Sequence, residues 1–241
     1  MNIITIIPAR GGSKGIPQKN IIEFCGKSLI SWSIEQAEAS KYIKNVYVSS
    51  DDREVLKVSK ESGAKIIKRP IKMATDTSRA EEALLHAINH IHKLSKEKID
   101  IVIFLQATSP LRTSKDIDNA IRLFLSKKAD SLFSASILED FCIWEVRNRK
   151  LRSVTFDYKQ RGRRQDRYPY YLENGSIYIF KPEIIKINNN RLGGKIIFYS
   201  MPLWKSYEID TIEDVEICEY YMKNKILKKE KHDSIYKKTS K

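Results

Sequence analysis

The sequence predicts an α/β fold built around a mostly parallel sheet. Short apolar runs rich in β-branched residues recur along the chain, amphipathic stretches separate them, and the connections are brief. Strand–helix–strand alternation of this kind leaves a parallel sheet covered on both faces, with ligands at the carboxyl ends of its strands.

The first run, IITII (3–7), reads as a buried strand, followed by a helix over 28–40 (SLISWSIEQAEAS). The run at 45–49 (NVYVS) leads into a helix over 52–62, and 64–67 (AKII) precedes a helix over 79–95, where Leu84, Leu85, Ile88 and Ile91 repeat at helical spacing. A strand at 99–105 (IDIVIFL), a helix over 114–127 and a strand at 130–136 (DSLFSAS) continue the alternation. From 137 to 170 the chain is rich in arginine and aromatics without a clear period, and reads as an inserted hairpin or excursion. Strands at 174–181 and 195–201 and a helix from about 211 to 223 complete one domain, 1–224. Residues 225–241 form a basic tail that reads as solvated and disordered.

Composition narrows the function classes. Hydrophobic residues make up 41% of the 241 and charged residues 31%, which supports a real core inside a water-facing surface. No apolar run approaches the roughly 18–20 residues that span a bilayer, and the N-terminus lacks the pattern of a signal peptide. Three cysteines (Cys25, Cys142, Cys218) without C-x-x-C spacing argue against a disulfide framework or zinc cluster and for a reducing compartment, so a cytoplasmic location is expected. The net charge is +14, of which the stretch 223–241 supplies +6 through eight lysines against Glu230 and Asp233. The remaining +8 sits largely on loops, as an anionic small substrate would require. Nucleic acid is a weaker reading of the charge, because the tail interleaves its lysines with a single aromatic, Tyr236.

Three motifs carry chemistry. In ARGGSKGIPQKN (9–20), Gly11, Gly12 and Gly15 let the backbone turn tightly and aim N–H groups at one place, while Arg10, Lys14 and Lys19 supply charge for a polyphosphate. The spacing fits neither a Walker A loop nor the dinucleotide G-x-G-x-x-G. In QATSPLR (106–112), Gln106 offers an amide that can read a base edge or a sugar hydroxyl, Thr108 and Ser109 add hydroxyls, Arg112 adds a cation, and Thr113 or Ser114 can cap the following helix. In EID (208–210), Glu208 and Asp210 sit two apart on a strand end, so both point to one face and suit a hard Mg²⁺ ion. Asp210 could instead cap the helix that follows. His86 and His90 lack the pattern of a zinc protease, Cys25 has no visible base, and no Ser–His–Asp arrangement is readable.

Together with RP (69–70), RQ (164–165) and NGSIY (174–178), in order from residue 9 to 210, these motifs resemble the acylneuraminate cytidylyltransferases, the CMP-sialic acid synthetases. The resemblance implies a three-layer, Rossmann-like nucleotidyltransferase fold with an inserted dimerisation segment at 137–170, and a homodimer. It implies transfer of CMP from CTP to a nine-carbon 2-keto acid sugar, with N-acetylneuraminic acid as first choice and legionaminic or pseudaminic acid as alternatives. It further implies that Arg10, Gly11, Gly12, Ser13, Lys19 and Asn20 hold the nucleotide and its phosphates, with Arg69 nearby. Gln106 and Thr108 would lie between cytidine and sugar. Arg164, Gln165, Asn174 and Tyr178 would line the sugar site, and Asp210, with Glu208, would bind Mg²⁺. Glu208 stands where many members carry aspartate, and Arg191 and Leu192 stand where some place an aromatic pair. A nucleotidyltransferase for another acceptor, such as a sugar 1-phosphate, is the nearest rival, and a basic nucleic-acid-binding protein is the rival of a different class.

Overall fold

The computed structural model describes residues 1–13, 15–95, 97–138, 141–163 and 168–228. Seven strands form the central sheet: β1 (Ile3–Pro8), β4 (Asn45–Ser50), β5 (Lys65–Lys68), β6 (Ile101–Leu105), β7 (Ser131–Leu138), β10 (Tyr170–Phe180) and β11 (Ile196–Ser200). Two small ribbons, β2 (Glu23–Phe24) with β3 (Lys27–Ser28) and β8 (Trp144–Arg147) with β9 (Lys150–Ser153), stand apart from it. The helices are α1 (Leu29–Glu38), α2 (Arg53–Glu61), α3 (Ala80–Ser95), α4 (Ser114–Ser126), α5 (Pro182–Asn188) and α6 (Ile212–Tyr221).

The strand order is β11-β7-β10-β6-β1-β4-β5. Neighbours β1/β4, β1/β6, β4/β5 and β7/β11 are parallel, and β10 runs antiparallel to both β6 and β7. The expectation of a mostly parallel sheet holds, with β10 as the reversed strand. The chain reaches β10 from β7 through the excursion, where among the described residues there is no α-helix of the kind that usually forms a parallel crossover.

Alternation along β1 shows why the sheet is covered twice. Ile3 and Ile7 pack with Ile30, Ile34 and Ala37 of α1, Val55 of α2 and Ile117, Ile121 and Phe124 of α4. Ile4 and Ile6 face the other way, onto Leu84, Ile88 and Ile91 of α3 and Ile185 of α5. A smaller cluster of Ile16, Phe24, Leu29, Trp32, Leu111, Ile209, Cys218 and Met222 fastens the loop after β1 to α6. The site is therefore clamped from both ends of the sequence.

Two helix starts have capping boxes. Thr113 accepts from the Asp116 backbone N–H while Asp116 returns the bond, and Thr211 does the same with Asp214. Capping of α6 thus falls to Thr211, and the alternative of Asp210 as the cap is set aside. The excursion contains the β8–β9 ribbon, turned by Asn148 and Arg149 at φ 53° and 59°. It carries Val146 and Leu151 about 70% exposed (72% and 70%).

Candidate active site

The loops after β1 and β6, the first residue of α3 and the 207–210 segment enclose a cleft of about 530 Å³. Its walls hold Arg10, Ser13, Lys19, Asn20, Gln106, Thr108, Glu208 and Asp210, with Phe104 and Ala80 beside them. Arg10 and Gln106 meet because β1 and β6 are parallel neighbours, so both release their loops at one edge.

Local sequence explains the loop's close fit. A side chain at Gly15 would collide with the Asp210 carbonyl, and one at Gly11 would lie 2.6 Å from Asp52 Cβ. The Gly11 N–H donates to Asp51 Oδ1 at 3.2 Å, and the same oxygen lies 3.6 Å from Arg69 Nη2. Arg69 is buried and does not line the cleft. It reaches the backbone of the loop after β1 through Asp51, and burial, ahead of the opposing effect of Asp51, lowers its pKa. Asn20 Nδ2 donates to the Arg10 carbonyl at 2.9 Å, which braces the loop from inside. Gly12 has open space around it.

Three ionic features define the electrostatics. Lys19 Nζ lies 2.7 Å from Asp210 Oδ1, and Arg10 Nη1 lies 3.0 Å from Asp76 Oδ1. The Glu208 carboxyl is pushed up to about 7, first by burial and then by the negative charge of Asp210. Two carboxylates that repel each other in one cleft form an all-oxygen donor pair suited to a hard divalent cation. Among the described residues no group of three or more His, Cys, Asp or Glu side chains gathers around a metal position, so further donors would have to come from substrate or water.

Gln106 lines the cleft, and its Oε1 is buried without a hydrogen-bond partner, an acceptor held ready for a donor. The backbone beside it is fixed by Arg112, against the expectation that Arg112 offers its charge to a ligand. This guanidinium is fully buried. Nη1 donates to the carbonyls of Gln106 (3.0 Å), Ser109 (2.5 Å) and Ser176 (3.4 Å), and Nη2 donates to Ser33 Oγ and again to the Gln106 carbonyl. Burial lowers its pKa, while the charges of Asp116 and Glu208 oppose that shift. The motif's arginine is thus a clamp on the loop that carries Gln106 and Thr108. The Ile209 N–H donates to the Thr108 carbonyl at 2.8 Å and so ties this loop to the carboxylate pair.

Asn174 and Tyr178 flank a bulge in β10 around Gly175, at φ +62°. Neither lines the cleft. Asn174 is buried, accepting from Ser134 Oγ at 2.6 Å, and Tyr178 stacks on Phe104 (centroids 5.2 Å apart) and donates to Glu173 Oε1 at 2.5 Å. Burial first, then Glu173, raises the pKa of that phenol. Arg191 bonds Glu81 Oε1 at 2.7 Å and lies over the Tyr178 ring at 4.2 Å, beside the Phe104 wall. Residues that sequence reasoning passed over are Asp51, Asp76 and Gly175. For Gly175 the N-G pair was a readable turn signal, while Asp51 and Asp76 carry no local mark of their partners. Lys14, Arg164 and Gln165 lie outside the described residues.

A cytidylyltransferase family profile matches residues 4–238, and the chain belongs to that family. It is similar to N-acylneuraminate cytidylyltransferase A of Danio rerio, at 35% identity over 90% of this chain and 50% of that protein, so it spans about half the length of this relative. It is also similar to the pseudaminic acid cytidylyltransferase of Campylobacter jejuni, 33% identical over 98% of this chain and 100% of the other. The flagellin modification protein B of Campylobacter coli is 31% identical over 93% and 97%. Among solved structures, a CMP-2-keto-3-deoxy-manno-octonic acid synthetase complexed with CTP shares the fold, with a TM-score of 0.69 at 16% identity over 94% of this chain and 100% of that one.

Proposed function

We propose that the protein transfers CMP from CTP to the anomeric hydroxyl of a nine-carbon 2-keto acid sugar, releasing pyrophosphate. The observation that carries this reading is the single cleft in which two loop cations, an unpartnered amide oxygen and two carboxylates converge. Family membership supports the cytidylyl transfer. The sialic and pseudaminic acid relatives support the acceptor class. N-acetylneuraminic acid is the first reading of the acceptor. Pseudaminic acid is the second, favoured by a relative matched over its whole length.

Reaction occurs when the acceptor hydroxyl attacks the α-phosphorus and pyrophosphate leaves in line, a step in which the protein mainly positions and offsets charge. Arg10 and Lys19 would meet the phosphate oxygens, and the N–H groups of the glycine loop would add donors. Gln106, braced from behind by Arg112, would present its oxygen to the base or to a sugar hydroxyl. Glu208 and Asp210 would hold Mg²⁺, which when bound supplies positive charge to the phosphates. Arg164, by resemblance to the family, would meet the acid's carboxylate. We further propose a homodimer through the β8–β9 ribbon, whose exposed Val146 and Leu151 fit an interface core better than open water.

The test is pyrophosphate release with CTP and Mg²⁺ against N-acetylneuraminic, legionaminic and pseudaminic acids, an eight-carbon 2-keto acid and a sugar 1-phosphate. Turnover of one nine-carbon acid, with little from the other acceptors, is the expected pattern. Turnover of the sugar 1-phosphate alone would contradict the acceptor class.

A further inference from the structure

Arg10 already has an anion within the fold. Its Nη1 donates to the Thr75 carbonyl at 2.9 Å and lies 3.0 Å from Asp76 Oδ1, although these residues are more than sixty positions away in sequence. A compact turn presents the carboxylate. The Thr75 N–H donates to Ser78 Oγ, the Ser78 N–H returns to the Thr75 carbonyl, and the two hydroxyls bond each other at 2.8 Å. The turn ends at Ala80, which lines the cleft at the start of α3. Asp76 is thus presented to Arg10, which lines the cleft, by a hydrogen-bonded turn.

We propose that Asp76 limits affinity, competing with the phosphates of substrate and product for Arg10. This rests on reading the cleft as a nucleotide site. A phosphate oxygen arriving at Arg10 puts a second negative group around one guanidinium. The carboxylate must then give up its contact or share the cation and repel the newcomer, and either course weakens the hold on a polyphosphate. The competition is one that phosphate wins. Arg10 and Asp76 side chains are 33% and 54% exposed, and an exposed pair of this kind is worth at most about a five-fold factor in an equilibrium. Charge-assisted bonds from arginine to phosphate are stronger. Pyrophosphate makes the same demand on Arg10 as the substrate's phosphates, so the same repulsion favours its departure.

The opposite role, Asp76 simply holding Arg10 in place, predicts the opposite sign, which makes the test decisive. Asp76→Asn keeps the shape and removes the charge, and Asp76→Ser serves as a second variant should the first fail to fold. Dissociation constants for pyrophosphate and for CTP, each with Mg²⁺, are measured by calorimetry on both proteins, with KM and kcat alongside. The expected result is binding about two- to five-fold tighter in the variant, a KM for CTP that falls with it, and no rise in kcat. The gain should shrink in an Arg10→Ala background. A folded variant that binds both probes equally or more weakly, while the natural protein binds CTP, overturns the role of Asp76 alone. A natural protein that binds neither probe overturns the nucleotide reading, and the proposal with it.

Discussion

Gly175→Ala tests how the site is assembled, because one added carbon meets two walls of the cleft together. A Cβ at Gly175 would lie inside van der Waals contact of Glu208 Oε1 and Gln106 Oε1, and 2.9 Å from Glu208 Cδ. To reach ordinary packing distances Glu208 Oε1 would have to retreat by about 1.6 Å and Gln106 Oε1 by about 1.1 Å. The backbone at φ +62° adds roughly 1–2 kcal/mol for any residue carrying a Cβ. In a chain of 241 residues that lowers the melting temperature by only about 2–8 °C. Displacing groups that position a substrate by about 1 Å or more costs on the order of 10²-fold in rate, equivalent to ~2.7 kcal/mol. The assay pairs pyrophosphate release with thermal melting on one preparation. The expected result is a folded variant whose kcat/KM falls about a hundred-fold at temperatures well below its melting point. A folded Gly175→Ala protein with near-natural kcat/KM would refute it, since Glu208 and Gln106 would then have no need of their observed positions.

Other predictions concern the support of the site. Arg112→Met strips the Gln106, Ser109 and Ser176 carbonyls of a common donor and should cost about 3 kcal/mol or more, visible as an earlier chemical-denaturation midpoint; an unshifted midpoint would remove Arg112 as the loop's clamp. Lys205→Met leaves the buried Asp116 without its cation at 2.5 Å and should destabilise by about 3–5 kcal/mol, with the loss shrinking when Asp116→Asn is added. Burial, more than any neighbouring charge, pushes the Cys25 thiol up to about 11 and the Cys218 thiol up to about 12. At pH 8 a thiol reagent should therefore spare these two, and equal rapid labelling of all three cysteines would contradict their environment. Because the folded chain keeps these protons, their contribution to stability is full below the ordinary thiol value of 9.0. It declines as pH rises from there toward 11 and 12. Urea midpoints at pH 8 and pH 10 would show the decline.

Much of the fold was legible because its strands are short β-branched runs and its helices carry one apolar stripe. Leu84, Ile88 and Ile91 mark α3 in the sequence and cover one face of the sheet in the structure. The direction of β10 was harder to read, since an apolar run such as SIYIF looks the same whichever way it pairs. The lack of a helical period in the sequence between 137 and 170 was the available signal. The short helix α5 begins at Pro182, a helix-start signal in a segment too brief to show a period.

For the site, local spacing brought out the loop, the amide and the carboxylate pair, because each is a run of a few residues with its own chemistry. Burial was not legible. Arg112 resembles a ligand-facing cation at a strand end until the fold surrounds it with carbonyls. Asn174 and Tyr178 look available until the bulge at Gly175 turns them inward. Partners distant in sequence, such as Asp76 for Arg10 and Asp51 for Arg69, depend on which strands are neighbours, which no local pattern encodes.

On the proposed function, CMP moves as a unit from CTP to the acid sugar. That transfer is tested most directly by following the α-phosphorus. With CTP labelled at that atom, the label should enter a product joining CMP to the sugar's anomeric oxygen, one unlabelled pyrophosphate should leave per turnover, and Asp210→Ala should abolish both. Label recovered as free CMP without a sugar adduct, or orthophosphate released in place of pyrophosphate, would contradict it.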